Sequence, residues 1–150
     1  MYSVGKLQIK NTIVINAPRN KVAEFFNDPV KVVECVPGIQ SHEIKGTNFK
    51  AKVKFKVGAI SGTFNTEGYI KEMKPQESYE VYLKGGSIGN SFEAKATVTL
   101  SDVEGGKTKL EYSADAKLGG MLAALGRVVE NVAADIVKQL FECAEKKVSA

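Results

Sequence analysis

The sequence predicts an α+β domain: a curved antiparallel sheet of seven strands wrapped around one long C-terminal helix, with two short helices after the first strand. Three observations carry that expectation. From Gly119 to Val148, apolar residues recur at Leu122, Leu125, Val129, Val132, Ala133, Ile136, Leu140 and Cys143, steps of three and four that lie on one side of a helix. From Ile39 to Lys117, apolar and polar residues alternate in segments separated by turn residues, with no helical crossover between them. Ahead of these, Leu7, Ile9, Ile13 and Ile15 alternate with Gln8, Lys10 and Thr12 as one further half-buried strand.

After that first strand, Pro18 suits a first helical turn, and Asn16 is close enough to help cap it. Val22, Phe25 and Phe26 give this short helix an apolar face. Asn27-Asp28-Pro29 then breaks it and starts another that carries Val32, Val33 and Val36 up to the turn at Pro37-Gly38.

Six strands follow. Their turns are expected at Lys45-Gly46-Thr47-Asn48, Gly58, Lys74-Pro75-Gln76-Glu77, Gly85 to Asn90, and Asp102 to Gly106. Alternation is clearest from Phe49 to Val57, where every odd position is apolar and every even one is lysine. Such a sheet has one wet face and one that must be covered, and only the C-terminal stretch, about 42 Å long as a helix, can cover it.

Size and charge bound the rest. A chain of 150 residues with 43% hydrophobic content is one domain, residues 1–150. The net charge of +4, from 21 basic and 17 acidic residues, is a mild surplus that names no partner. With no apolar run of signal-peptide or membrane-spanning length, the protein is expected in the cytoplasm. Cys35 and Cys143, far apart and each among apolar neighbours, read as reduced structural thiols.

The inward face is notable for its small residues. Ala51, Gly62, Thr66, Gly68, Ala94, Ala96, Ala114 and Ala116 gather in the middle strands. They mean either close approach of the helix or volume left for a guest. In the second case the lining would be Phe55, Phe64, Thr66, Gly68, Tyr79, Val81, Phe92, Ala94, Ala96, Tyr112 and Ala114 from the sheet, and Leu122, Leu125 and Val129 from the helix. Thr66, Tyr79 and Tyr112 are the hydroxyls available to orient a polar ligand atom, though buried hydroxyls usually serve their own hydrogen bonds.

Catalytic and metal-binding patterns are missing. His42 has no second histidine or cysteine at ligand spacing, so neither metal nor a catalytic residue is expected. Gly85-Gly86-Ser87-Ile88-Gly89 lacks the lysine-serine ending of a phosphate loop and reads as a hairpin loop. Lys50, Lys52, Lys54 and Lys56 form a positive ladder on the wet face, which is either a docking surface for an anionic partner or an ordinary solvated strand. As outward aromatics, Tyr69 and Tyr82 are too few for nucleic-acid stacking.

Four stretches carry a resemblance: Asn27-Asp28-Pro29, Cys35-Val36-Pro37-Gly38, Lys54 to Phe64, and Gly119-Gly120-Met121-Leu122-Ala123-Ala124-Leu125-Gly126. With them the whole chain resembles the CoxG family of carbon monoxide dehydrogenase subunits. That resemblance implies the helix-grip fold of the START-related (SRPBCC) superfamily. It also implies a non-catalytic accessory protein with no intrinsic cofactor, associated with a molybdenum-containing carbon monoxide dehydrogenase or related hydroxylase. A quinone-like or lipid-like molecule would occupy the cavity, and contact with the membrane would be peripheral, at its inner face. The competing expectation is a small lyase or cyclase of the same superfamily, which needs a buried acid–base pair that the inward strand pattern does not supply.

Overall fold

The structure is a computed structural model that describes residues 5–149. Its elements run β1 (Gly5–Ile15), α1 (Arg19–Phe26), α2 (Pro29–Glu34), β2 (Ile39–Lys45), β3 (Asn48–Val57), β4 (Ile60–Lys74), β5 (Ser78–Ser87), β6 (Asn90–Val103) and β7 (Lys107–Gly120). A 3₁₀ turn (Met121–Leu125) and the long helix α3 (Gly126–Ser149) complete the chain. The strands form a single antiparallel sheet in the order β1-β7-β6-β5-β4-β3-β2. Hairpins make every connection except the one through α1 and α2, which carries the chain from one sheet edge to the other.

Local chemistry accounts for the short helices. The Asp28 carboxylate accepts from the Val30 and Lys31 amides at 3.2 and 3.4 Å, and Pro29 occupies the first turn of α2. Asn16 does not cap α1 as expected; Pro18 holds the cap position without a side-chain bond, and the Asn16 amide donates to Glu145 of α3 at 2.8 Å. A long-range partner outcompetes the local one.

The core has two parts. The larger gathers Phe25, Phe26, Tyr79, Val98, Leu100, Leu110, Phe141 and Ala144, so it joins α1, the sheet and the last third of α3. Phe26 stacks on Tyr79 with centroids 5.0 Å apart and lies 5.7 Å from Phe141. The smaller part, Val57, Phe64, Leu118 and Leu122, sits at the opposite end of the sheet beneath the 3₁₀ turn.

Three expectations are corrected here. The helix does not begin at Gly119: Gly119 and Gly120 finish β7, and residues 121–125 are 3₁₀. Gly120 has φ +67, and a Cβ there would collide with the Gly89 carbonyl, so a contact from another hairpin decides this corner. The spacing of Leu122 and Leu125 fits a three-residue repeat as readily as a helical one. The glycine-rich run is also misread as loop, because Gly85 and Gly86 pair with Phe92 and Ser91 inside the sheet and only Ile88-Gly89 turns. Finally, Cys35 and Cys143 are not free thiols but a disulfide, with Cα atoms 5.5 Å apart. Their separation of 108 residues hid this, since only the packing of α2 on α3 brings them together. The Lys147–Glu34 ion pair at 3.6 Å marks the same contact.

Closing a loop of 108 residues restricts the unfolded chain strongly. Reduction, or a Cys143→Ser substitution, is expected to lower stability in urea melts by roughly 2 to 5 kcal/mol. Thiol titration of unreduced, unfolded protein that finds two reactive thiols would overturn the linkage.

A second test concerns Glu72, whose carboxylate accepts from the Gln76 amide, the Tyr79 hydroxyl and the Asn27 amide nitrogen at 3.3, 3.0 and 3.3 Å. These bonds, the Gln76 amide first, hold its pKa below the ordinary glutamate value. The stabilisation is therefore complete above that ordinary value and is lost as pH falls through the depressed one. Glu72→Gln should flatten this acid limb of the stability–pH curve; an unchanged limb would show that the carboxylate contributes nothing there.

Candidate functional site

Between the two core clusters lies a stretch of inward-facing sheet that α3 does not seal. Val81, Ala96, Ala114 and Ile9 form one cross-strand row, and Leu83, Ala94, Ala116 and Leu7 form another. All eight point inward, yet each is only half-buried. The opposing apolar residues of α3, Val129, Val132, Ala133, Ile136, Val137 and Leu140, are half-buried too. A close-packed interior would exclude water from such side chains, so the helix stands off the sheet here. It is anchored on either side, through Leu122 at 3% exposure and through Phe141 and Ala144 at 6% and 3%.

At the Leu122 end the sheet presents an aromatic corner. Phe55, Phe64 and Phe92 lie with centroids 5.5, 6.0 and 6.4 Å apart, and half-buried Leu125 and Val129 are above them on the 3₁₀ turn and α3. Thr66 borders this corner. A Cβ on Gly85 would meet the Phe92 ring at 2.5 Å and Thr66 Oγ1 at 3.0 Å, which shows how closely the ring and the hydroxyl share the space above that glycine. Gly68 answers to a different need: a Cβ would strike the Tyr82 carbonyl and lie 3.2 Å from the Phe49 ring.

The polar groups are sparse and two are unusual. Thr66 Oγ1 and the Tyr112 hydroxyl are buried, each on a residue only 8% exposed, and neither has a hydrogen-bond partner. Burial raises the Tyr112 pKa above the ordinary tyrosine value; Asn11, its neighbour in register on β1, pulls the other way without reaching hydrogen-bonding geometry. The Thr66 row meets β7 at Leu118, six residues from Tyr112. The two orphaned hydroxyls are thus separated by roughly 20 Å along the strands and about 14 Å across them before curvature is counted.

Tyr79, named as a third candidate hydroxyl, belongs to the larger core instead: it is fully buried and its hydroxyl donates to Glu72. The remaining candidates, Val81, Ala94, Ala96 and Ala114, occupy the unsealed stretch.

On the outer face, Lys50, Lys52, Lys54 and Lys56 are all exposed. Lys50 stands between Glu43 and Glu67, whereas Lys52, Lys54 and Lys56 face Asn65, Thr63 and Ser61. Lys50 and Lys52 border a shallow groove of about 800 Å³ with Ser41, Asn65, Lys84 and Ser91. Tyr69 and Tyr82 stack on each other at 5.5 Å and donate to Glu80 and Glu93, both at 2.6 Å, so their hydroxyls are engaged within the sheet. His42 lies exposed on the edge strand β2. Among the described residues no cluster of three metal-ligating side chains occurs, and no helix is long and apolar enough to cross a membrane.

Sequence reasoning missed Asn90. Its carboxamide oxygen accepts from the Leu122 amide at 3.1 Å and fixes the turn that roofs the aromatic corner. The only signal was an asparagine directly after a turn glycine, too common to single out.

The family model for CoxG, a carbon monoxide dehydrogenase subunit, matches residues 12–149. Among curated proteins no sequence matches the chain. Among solved structures, a conserved protein from Geobacillus kaustophilus is similar over 95% of both chains, with TM-score 0.87 and 23% identity. A START superfamily protein from Mycobacterium smegmatis covers 95% of this chain and 97% of its own, with TM-score 0.70 and 13% identity. The Zhui aromatase/cyclase from Streptomyces sp. R1128 covers 96% and 94%, with TM-score 0.68 and 12% identity. At these identities the likeness establishes the helix-grip fold, with its seven-stranded antiparallel sheet, and nothing about chemistry.

A buried hydroxyl without a partner destabilises by about 1 to 3 kcal/mol. Thr66→Val and Tyr112→Phe remove that penalty while keeping shape, so the ligand-free variants should be as stable as the parent or more so, by up to about 2 kcal/mol. A clear loss of stability in both would show that the hydroxyls are already satisfied within the fold.

Proposed function

Because the chain belongs to the CoxG family of carbon monoxide dehydrogenase subunits, we propose that it is a non-catalytic accessory protein that carries an apolar quinone-like or lipid-like molecule between sheet and α3. It would serve a molybdenum-containing carbon monoxide dehydrogenase or a related hydroxylase. The observation that carries this reading is the unsealed apolar stretch with an unpaired buried hydroxyl at each end. Such a site suits a long, mostly apolar molecule with a few hydrogen-bonding atoms, because apolar walls supply binding energy and sparse polar groups set orientation. The aromatic corner suits a flat ring, which Thr66 Oγ1 would engage through a carbonyl or hydroxyl oxygen.

The lyase or cyclase alternative has less support. General acid–base catalysis needs a titratable pair placed against the substrate. The unsealed rows offer Val, Leu, Ile and Ala, and the polar groups at their ends are hydroxyls. Likeness to an aromatase/cyclase at 12% identity extends to the fold alone.

Ala96 and Ala114 test the reading, since both lie in one row of the unsealed stretch. Leucine at either position should change apo stability by less than about 1 kcal/mol, because the added carbons enter free volume. The same variants should bind a short-chain quinone analogue at least tenfold more weakly, and native mass spectrometry of the parent should reveal a co-purifying apolar molecule. If both variants are destabilised by the roughly 1 to 3 kcal/mol of overpacking and the parent binds no quinone, the carrier role is lost.

A further inference from the structure

The end of the molecule where α3 begins carries a feature that holding a ligand does not use. Three chain reversals meet there: Gly58-Ala59 between β3 and β4, Ile88-Gly89 between β5 and β6, and the 3₁₀ turn between β7 and α3. The Met121 amide donates to the Gly89 carbonyl at 3.2 Å, and a Cβ on Gly58 would lie 3.8 Å from Val128 and 3.9 Å from Leu125. The three reversals therefore form one tip. On it Ile88 is 101% exposed and Met121 61%, and Ala59 and Ala124 are exposed beside them. The other exposed large apolar residues, Val14, Val30 and Met73, stand singly on separate elements.

Basic residues ring this tip. Lys54 and Lys56 approach it on β3, Lys117 on β7, Lys6 opposite Lys117 on β1, and Arg127 in the first turn of α3. All five are exposed, and among the described residues none makes an ion pair within 4.0 Å. Arg127 is placed against its own helix, because the positive end of the helix dipole disfavours a cation and no acidic residue in that turn compensates. A local rule broken without local compensation points to an external anion.

We propose that this tip docks the protein onto an anionic lipid bilayer, with Ile88 and Met121 entering the acyl boundary and Lys6, Lys54, Lys56, Lys117 and Arg127 engaging headgroups. Shape favours lipid over protein. Two side chains protruding from tight turns cannot build the roughly 1,200 Å² of matched surface that a stable protein interface needs, whereas lipid closes around them. Each basic residue near such a surface strengthens attachment about fivefold. Docking does not depend on bound cargo, so it stands or falls separately from the carrier reading.

The chain contains no tryptophan, which makes Ile88→Trp a single reporter. With vesicles of equal parts phosphatidylcholine and phosphatidylglycerol its fluorescence should shift to the blue. With phosphatidylcholine alone, or for Val14→Trp at the other end of β1, it should not shift. Co-sedimentation with the anionic vesicles should weaken at least about tenfold in Lys56→Glu, Lys117→Glu and in Ile88→Asp, and should vanish at high salt. Ile88 touches no core, so unchanged melting of Ile88→Asp confirms that the fold is intact. Vesicle binding indifferent to all these variants would overturn the proposal. So would absence of vesicle binding together with self-association that Ile88→Asp abolishes, which would assign the tip to a second copy of the chain.

Discussion

A single helix has to cover the apolar face of a sheet far wider than itself. Seven strands at about 4.8 Å span roughly 30 Å, while a helix with its side chains is about 10 Å across. Curling the sheet reduces the mismatch, and α1 with α2 covers part of what remains, since Phe25, Phe26 and Val33 join the larger core. The rest is left as the half-buried rows around Ala96 and Ala114. The space follows from the architecture, and the small residues keep it open.

Holding a helix off a sheet requires firm attachment on both sides of the gap. At the C-terminal end, Phe141 and Ala144 are buried, the disulfide ties Cys143 to Cys35, and Glu145 accepts from the Asn16 amide. At the other end Leu122 is buried, and its amide is fixed by Asn90. The first attachment is covalent and apolar; the second rests on one hydrogen bond and a 3₁₀ turn. The weaker attachment lies at the tip, beside the aromatic corner, so the end through which a guest would pass with least disruption is also the one that carries Ile88 and Met121.

The outer face is organised by pairing rather than by recognition over much of its width. Tyr69 and Tyr82 stack on each other and donate to Glu80 and Glu93, and Lys95 pairs with Glu80 at 3.4 Å. Charge is left uncompensated where β3 nears the tip, at Lys54 and Lys56, whose neighbours on β4 are Thr63 and Ser61. The wet face is thus neutralised in its middle and basic toward one end.

Periodicity determined the order of elements, their antiparallel pairing and the inward set, because alternation and three-four spacing are local properties that any register of the same chain would keep. It also singled out Thr66, Tyr112 and the alanines as inward-facing. What it could not contain is distance between elements. The disulfide depends on α2 meeting α3 across 108 residues, the start of α3 depends on Gly89 and Asn90 reaching Gly120 and Leu122, and Tyr79 found Glu72 where Thr66 and Tyr112 found no partner. Whether an inward alanine supports a helix or faces a gap is set by how far that helix stands away, and only the packed structure decides that distance.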